Sequence, residues 1–438
     1  MKNIKIVTGI MASMILCSSI GYAQESELLR QYRAKVEEYN QDIKAAGHAA
    51  AIQMEKEKSA KADFLPSLSG NADFNYKGNP TELTLNRPGM EHPATVQGKD
   101  TRYGASLTLA QPLYSGGAIK AGYDKAKKEN EMARHEQKRV TNNILYDADV
   151  HYWNTVAREE MVNVAEAFKQ SVATLVNVVR DRVQEEYTDR TDLLMAEVKL
   201  NDAEYRLVQA RNEAEVARLS MNSFSGEAFD TQIPTDSLVI PLKGDYAFSG
   251  NIETAVDTRP ELQIAMNQVD IQKSAAKMAN AQFLPRLSIG VDGSYSSPGY
   301  DFKTDLDPNY AVYAKLSVPI FEWGKRRNTR KSGKHSVNMA IENRNKVADN
   351  VRLEVKTSLY TYSQAVQKVS LTESSLAKAA DSEKLALDKY KEGTISIVEV
   401  INAQLYHQEA KVNYIQSKLN AQIAKSDLDR VTGRMNVQ

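Results

Sequence analysis

Apolar and polar residues alternate in four short segments of the chain. Residues 67–76 read SLSGNADFNY, with an apolar residue or glycine at each even position and a polar residue at each odd one. Residues 102–109, 287–295 and 310–318 follow the same two-residue period. This period predicts β-strands, and tyrosines near the ends are typical of membrane-barrel strands. An ordinary half-buried hairpin of a soluble domain remains the alternative for each pair taken alone.

Four long segments carry a helical period instead. They cover residues 118–186, 192–223, 325–391 and 398–430, and no proline interrupts them. The longer ones would extend about 100 Å at the rise of an α-helix, which is too long for a compact domain. Apolar spacings of three and four predict one seam in residues 161–183 and a strict heptad seam, rich in alanine, in residues 193–221. A standalone antiparallel coiled coil would explain these helices but not the four strands.

The chain contains an internal repeat. The sequence FLP occurs at 64–66 and again at 283–285, 219 positions later. Pro112 and Pro319 lie 207 positions apart, and so do Arg182 and Lys389. A single insertion of 12 residues between Pro66 and Pro112 accounts for both offsets. Both halves therefore follow one plan of two strands and long helices, and the insertion lengthens the first strand–strand loop.

The repeat predicts the domain organisation. Residues 24–226 form the first structural repeat, with a hairpin at about 64–114, and residues 251–438 form the second, with a hairpin at about 283–321. Residues 227–250 join them as an equatorial segment without a predicted role. The loops at about 77–101 and 296–309 are rich in Pro, Gly, Asn and Asp, and in a membrane they would face outside the cell.

Residues 1–23 resemble a signal peptide. Lys2 and Lys5 precede an apolar stretch, and Gly21 and Ala23 provide the small residues of a cleavage site. A lipoprotein signal acylated at Cys17 is the weaker alternative, because bulky residue 16 precedes it. Cys17 is the only cysteine among 438 residues, so the mature chain is expected to lack disulfides and thiol chemistry.

Charge and composition exclude several functions. The chain has 56 basic and 56 acidic residues, so no basic surplus exists for a nucleic-acid partner. The mature part contains no apolar run long enough for a membrane-spanning helix, so membrane insertion would use strands. No phosphate-binding loop or catalytic triad is visible, which makes an enzyme the weakest class. Asp147 and His151 lie one helical turn apart but lack a third ligand, so no metal site and no cofactor are predicted.

Strand number predicts an oligomer. Four strands cannot close a barrel, and an open sheet edge in lipid leaves backbone groups unsatisfied at several kcal/mol each. If these strands lie in a membrane, several chains must therefore share one barrel. The strand pattern alone does not count the subunits.

Four motifs together resemble the TolC/outer membrane efflux protein family. They are FLP at 64–66, QPLYSGG at 111–117, FLP at 283–285 and VPIFEWGKR at 318–326. The resemblance covers essentially the whole mature chain, in order and with its duplication. It implies a mixed α and β fold: an obligate homotrimer whose strands form one shared outer-membrane β-barrel, continued by a long α-helical coiled-coil tunnel in the periplasm of a Gram-negative bacterium.

The resemblance also implies partners and function. Such channels are exit ducts of tripartite efflux or type I secretion systems. They contact outer-membrane lipid, a periplasmic adaptor and an inner-membrane pump or secretion transporter, and they conduct substrate passively. A periplasmic coiled-coil scaffold or adaptor without a membrane barrel remains the alternative. The cargo, whether drug, metal ion or polypeptide, is not predicted.

The tunnel mouth is where the resemblance extends to single residues. The family carries a Tyr, a Gly, an Arg and two acids one helical turn apart at the second-half turn; the matching positions here are Tyr390, Gly393, Ile395, Glu399 and Asn402. The arginine and the second acid are thus replaced, which predicts a weaker closed-state lock.

In the first half, Asp192 matches Glu399, with Asp189 and Arg190 nearby. Three copies of the acids would favour cations. The acids could instead, or in addition, stabilise the first turn of each returning helix. Tyr187 and Gly393 are candidates for adaptor contact at the helix turns.

Overall fold

The computed structural model describes residues 26–80, 82–85, 88–89, 94–238, 252–298 and 305–435. The predicted signal peptide and most of the segment that joins the repeats lie outside these residues. The described residues form eight helices and six strands, a mixed α and β fold. Their order is α1 Glu27–Tyr39, α2 Gln41–Ala62, β1 Ser67–Tyr76, β2 Glu82–Leu85, β3 Ala94–Gln97, β4 Thr101–Ser115, α3 Ala118–Gln184, α4 Arg190–Ser225, α5 Ile252–Thr258, α6 Pro260–Ala281, β5 Arg286–Ser297, β6 Asp307–Ser317, α7 Lys325–Lys391 and α8 Ile397–Val431.

Two compact units divide these elements. A helical unit contains residues 26–38, 147–238 and 363–424, and a sheet unit contains residues 39–146, 252–362 and 425–435. Helices α3, α7 and α8 contribute residues to both units, and α1 contributes its last residue, Tyr39, to the sheet unit. Within the described ranges, no helix is at once long enough and apolar enough to cross a membrane.

The sheet unit holds the four predicted strands in one antiparallel sheet. Their order is β1-β4-β5-β6, so β1 and β6 are its two edges. The register places Leu68 opposite Leu109, Leu109 opposite Val291, and Val291 opposite Val312. The neighbouring row, on the other face, joins Ser69, Thr108, Asp292 and Ala311. The predicted alternation thus produces a sheet with one apolar and one largely polar face.

Two details of the sheet unit differ from the sequence prediction. The first strand–strand loop contains a small antiparallel hairpin of β2 and β3, in which Leu83 lies opposite Val96. The second hairpin was expected to reach residue 321, but β6 ends at Ser317. Its counterpart β4 continues to Ser115 because β5 pairs with it as far as Arg286. Among the described residues, no strand pairs with the outer side of β6.

The helical unit packs along the predicted seams. All the seam residues of α3 are buried or half-buried, and Val172, Leu175 and Val179 are fully buried. The α4 seam is covered likewise, with Ala196 and Ala203 fully buried. The burial of both seams confirms that these positions face the interior, and small side chains there are suited to a close approach of the helix backbones.

Helix α1 is fixed to the helical unit by buried polar contacts. Arg33 forms an ion pair with Asp149 at 2.6 Å, and the hydroxyl of Tyr32 donates to the carbonyl of Met221 at 3.0 Å. The described start of the joining segment is fixed in the same way. The amide of Asn222 donates to the carbonyls of Ala228, Phe229 and Thr231, and Tyr152 donates to Asp236 at 2.6 Å. The bonds from Asn222 satisfy backbone carbonyls of the joining segment that belong to no helix or strand.

Candidate functional site

The helical unit contains two equivalent turns, one between α3 and α4 and one between α7 and α8. In the second, Gly393 has a φ of +76°, and the N–H groups of Gly393 and Thr394 donate to the carbonyls of Tyr390 and Lys389 at 2.9 and 3.0 Å. This is the Schellman ending of a helix, which favours glycine at the left-handed position. In the first turn Glu186 occupies that position with a φ of +58°. The duplication therefore produces one turn twice, once with an unfavourable residue.

The predicted acids lie at the starts of the returning helices. Asp189 is the N-cap of α4 and accepts from the N–H of Thr191 at 2.8 Å. Glu399, in the first turn of α8, accepts from the N–H and the hydroxyl of Ser396 at 2.8 and 3.0 Å. These hydrogen bonds lower the pKa of both carboxyl groups below their usual values. Both groups are therefore charged at neutral pH, and both stabilise a helix N-terminus.

The remaining predicted residues lie around the same two turns. Asp192 is half-buried and accepts from the hydroxyl of Thr188. Arg190 and Asn402 are exposed, the latter one turn beyond Glu399. Ile395, where the family carries an arginine, packs against the apolar core instead. Tyr187 has 71% of its surface exposed, which makes it the most prominent aromatic side chain at the turns.

Tyr390 lies in the core rather than on a surface. It is 3% exposed and packs with Val179, Ala196 and Ile397. Burial, and secondly the charge of Asp192, raise its pKa above the ordinary value. The structure thus brings Asp192 and Tyr390, one from each repeat, close to each other.

Arg182 is a site residue that the sequence did not reveal. Its guanidinium donates from Nη1 to the carbonyls of Tyr390 and Lys391 at 2.8 and 2.9 Å, and it stacks 5.1 Å from the ring centre of Tyr390. A cation at this position also complements the negative C-terminal end of α7. Arg182 belongs to the first repeat and its acceptors to the second, so it ties the two helix pairs together next to their turns.

The Asp147 and His151 pair does not gather further metal ligands. No three His, Cys, Asp or Glu side chains come close enough to hold a metal within the part of the chain that the structure describes. His151 instead packs 4.7 Å from the ring of Phe224, and its Nδ1 lies 3.2 Å from the hydroxyl of Ser220. Burial lowers the pKa of His151.

Comparison with known proteins identifies the family. Residues 32–227 and 251–434 match the outer membrane efflux protein family, and the two matched stretches cover most of the chain. The chain belongs to that family. It is a protein of the outer membrane of Gram-negative bacteria with a periplasmic helical part, and it is not an enzyme, as the sequence predicted.

Individual relatives are distant but cover the chain almost completely. The chain is 21% identical to the outer membrane efflux protein BepC of Brucella suis biovar 1 (strain 1330), over 97% of this chain and 90% of BepC. It is 19% identical to the outer membrane protein TolC of Escherichia coli (strain K12), over 96% of this chain and 85% of TolC. The solved outer-membrane channel OprN superposes with a TM-score of 0.78 at 15% identity, covering 93% of this chain and 90% of OprN. At 15% identity, the similarity to OprN shows a shared fold and nothing further.

Proposed function

We propose that three copies of this chain share one twelve-stranded barrel in the outer membrane and form the exit duct of a tripartite efflux or type I secretion system. The observation that carries this proposal is the four-stranded sheet with two open edges. Its apolar face is exposed: Leu68, Leu107 and Val312 each keep 60% or more of their surface accessible. Lipid would cover that face, and neighbouring copies would pair the edges that otherwise leave backbone groups unsatisfied.

The first test is the mass of the mature protein extracted in detergent, measured by light scattering and corrected for bound detergent. A trimer obtained only with detergent is the expected result. A monomer or dimer that leaves the cells in buffer alone would refute the shared barrel and favour a periplasmic scaffold.

In such a trimer the acids near the helix turns would converge and favour cations. Glu399 and Asp192 are the proposed ring, with Asp189 and Arg190 beside them and Asn402 in the place of a second acid. Like charges around a narrow pore raise the local concentration of cations and repel anions. Because both acids also accept hydrogen bonds within their own turns, a change that breaks those bonds would confuse folding with selectivity.

Amide substitutions separate the two roles. Glu399→Gln and Asp192→Asn remove the charge but keep an oxygen that can accept the bonds from Ser396 and Thr188. We expect the double variant to lose most of its preference for cations over anions in planar bilayers while its thermal midpoint hardly changes. Asp189→Asn is the matched control for a charge at the helix cap, because Asn is an equally good N-cap. Unchanged selectivity in the double variant would refute the ring.

The closed state of the duct would depend on Arg182, because Ile395 stands at the position where the family carries its arginine. The contacts of Arg182 join the two helix pairs within one chain, so separation of the pairs would break them. The partner of the turns would be a periplasmic adaptor, which in turn would bind an inner-membrane pump or secretion transporter. Exposed Tyr187, which follows the left-handed Glu186, is the proposed adaptor contact in the first turn, and the left-handed Gly393 is the proposed contact in the second turn. A photo-crosslinker at Tyr187 should capture an adaptor in cells, and a crosslinker at Tyr205, exposed along α4, is the control.

A further inference from the structure

The segment after β6 is apolar and uncovered. We call residues 318–323 the post-strand segment. Ile320 and Trp323 keep 94% and 90% of their surface accessible, and Phe321 keeps 70%. Trp323 has a φ of +45° and packs against Phe321 alone among aromatic residues of the described chain, with ring centres 5.0 Å apart. Exposed apolar side chains in one short run indicate a contact surface.

The first repeat contains the equivalent segment, residues 111–116, and covers only its end: Gly116 is buried, whereas Leu113 and Tyr114 remain 54% and 50% exposed. There, β4 continues to Ser115 and pairs with Arg286 of β5. Gly116, the counterpart of Trp323, is buried so closely that a Cβ would lie 2.6 Å from the carbonyl oxygen of Ala281 and 2.8 Å from the Cβ of Leu284. The end of α6 and the start of β5 therefore cover the Gly116 end of this segment within the chain.

The surface that would cover the post-strand segment also exists, at the other edge of the sheet. Ala62 and Leu65 precede β1 at the positions where Ala281 and Leu284 precede β5. They line an open cleft of about 630 Å³, together with Phe64, Tyr123, Lys58, Lys61, Lys120 and Asp124. Phe64 is 44% exposed, whereas its counterpart Phe283 is 5% exposed. Because β1 and β6 are opposite edges of one sheet, the chain's own pairing leaves this cleft uncovered.

We propose that the post-strand segment of one copy binds in the cleft of the next copy, with Trp323 inserted beside Phe64, Leu65 and Tyr123. This inference rests on the proposed shared barrel and specifies its subunit contact. We call the pairing of β4 with β5 the first junction and the proposed pairing of β6 with β1 of the next copy the second junction. If the second junction keeps the register of the first, Phe321 lies opposite Leu68 and Glu322 opposite Ser67. Strand β6 would thus lengthen from Ser317 to Glu322 when the copies assemble.

Charge complementarity supports this occupant. Three lysines and one aspartate line the cleft. The segment brings Glu322, whose Oε2 is buried without a hydrogen-bond partner and lies 3.9 Å from Nζ of Lys325. Pairing Glu322 with the cleft lysines would give that oxygen a hydrogen bond in addition to its distant ion pair with Lys325, whereas a purely lipid-facing segment would leave the acid in a less favourable environment.

The two junctions cannot be identical, and the cleft explains the difference. Trp323 carries a side chain where Gly116 has none, so the second junction must be wider than the first. An indole combines an apolar ring with a polar N–H group, and the cleft is lined by Phe64, Leu65 and Tyr123 together with three lysines. The duplication thus provides a tight junction inside the chain and a wider one between chains.

Cysteine crosslinking tests this contact directly. In a Cys17→Ala background, Trp323→Cys combined with Leu65→Cys should oxidise to a covalent ladder that ends at the trimer, and neither single variant should do so. Trp323→Cys combined with Tyr205→Cys, an exposed position in the helical unit, controls for random collision. The mass of the unoxidised variant in detergent is measured in parallel.

A trimer without the crosslink would overturn this inference and leave the shared barrel standing. A monomer would overturn both. Lipid is the competing occupant, and fluorescence distinguishes it: with Trp153→Phe, Trp323 is the only tryptophan. Strong quenching of Trp323 by brominated phospholipid in the intact trimer would refute the proposal, and weak quenching would support it.

A charge reversal provides a variant that does not depend on thiol geometry. Glu322→Lys should lower the fraction of trimer after detergent dilution by about tenfold, because like charges across an interface repel. Lys58→Glu with Lys61→Glu in the same chain should restore it. Failure of the restoring pair, with the single variant still folded, would count against the contact.

Discussion

Removal of the Arg182 side chain should loosen the two helix pairs next to their turns. A charged donor contributes about 1.5–3 kcal/mol for each of the bonds to the carbonyls of Tyr390 and Lys391, and the stacking on Tyr390 adds about 0.5–1 kcal/mol. The buried Nε has no partner, which costs about 1–3 kcal/mol. Arg182→Ala should therefore destabilise the paired turns by about 2–4 kcal/mol net.

That free energy sets the expected effect on channel opening. If the contacts of Arg182 exist only in the closed state, their loss shifts the ratio of open to closed channels by a factor of about 30 to 700, since 1.4 kcal/mol corresponds to tenfold. Single-channel recording in planar bilayers measures this ratio. Arg182→Lys should fall between the wild type and Arg182→Ala, because an ammonium keeps the charge near the end of α7 but loses the planar fork.

The repeat supplies the matched control. Lys389 is the counterpart of Arg182 in the second repeat, and it is exposed. Lys389→Ala removes a charge of the same sign near the same turns and should change stability by less than about 0.5 kcal/mol. If Arg182→Ala and Lys389→Ala give the same open probability and the same thermal midpoint, the role assigned to Arg182 is wrong.

Three further predictions concern the helical unit. Glu186→Gly should raise the thermal midpoint, because a non-glycine residue in the left-handed conformation costs about 1–2 kcal/mol. Gly393→Ala should lower the midpoint by a similar amount for the same reason. Midpoints equal to that of the wild type in both variants would contradict this. His407→Leu should destabilise by about 2 kcal/mol because it leaves the carboxyl group of Glu383, 16% exposed, without the imidazole that contacts it. Adding Glu383→Val copies the apolar first repeat and should restore stability, as a double-mutant cycle would show. Burial lowers the pKa of His151, so the unfolded chain binds its proton more readily and stability falls as the pH drops below the ordinary value of 6.5. Unfolding of His151→Gln at about pH 5 and about pH 8 should show a smaller pH dependence than the wild type.

Local patterns predicted the elements well because each element is decided by its own period. The predicted helix at residues 325–391 coincides with α7, and the other three long helices differ by a few residues at their ends. The turns were also predictable, since Gly393 and the acids after it follow rules of helix ends. The hairpin of β2 and β3 was missed because its strands are four residues long and lie in a loop rich in turn formers.

Contacts between the repeats were not predictable from local patterns. Arg182 and its acceptors are more than 200 positions apart, and nothing in the neighbourhood of Arg182 indicates which carbonyls it reaches. The burial of Tyr390 was hidden for the same reason, because a tyrosine at a helix end is equally suited to a surface or a core. The family resemblance directed attention to Ile395, whereas the side chain that ties the turns comes from the other repeat.

Duplication explains why single residues of the two halves now differ. Each half needs a partner for the far edge of its hairpin, and within one chain only β4 and β5 can serve each other. Glycine at position 116 permits close packing there, while Trp323 at the equivalent position would be excluded by the same neighbours. A bulky aromatic residue is therefore tolerable only where the partner lies on another chain and leaves a cleft for it. The difference between Gly116 and Trp323 thus marks which junction closes within a subunit and which one is left for assembly.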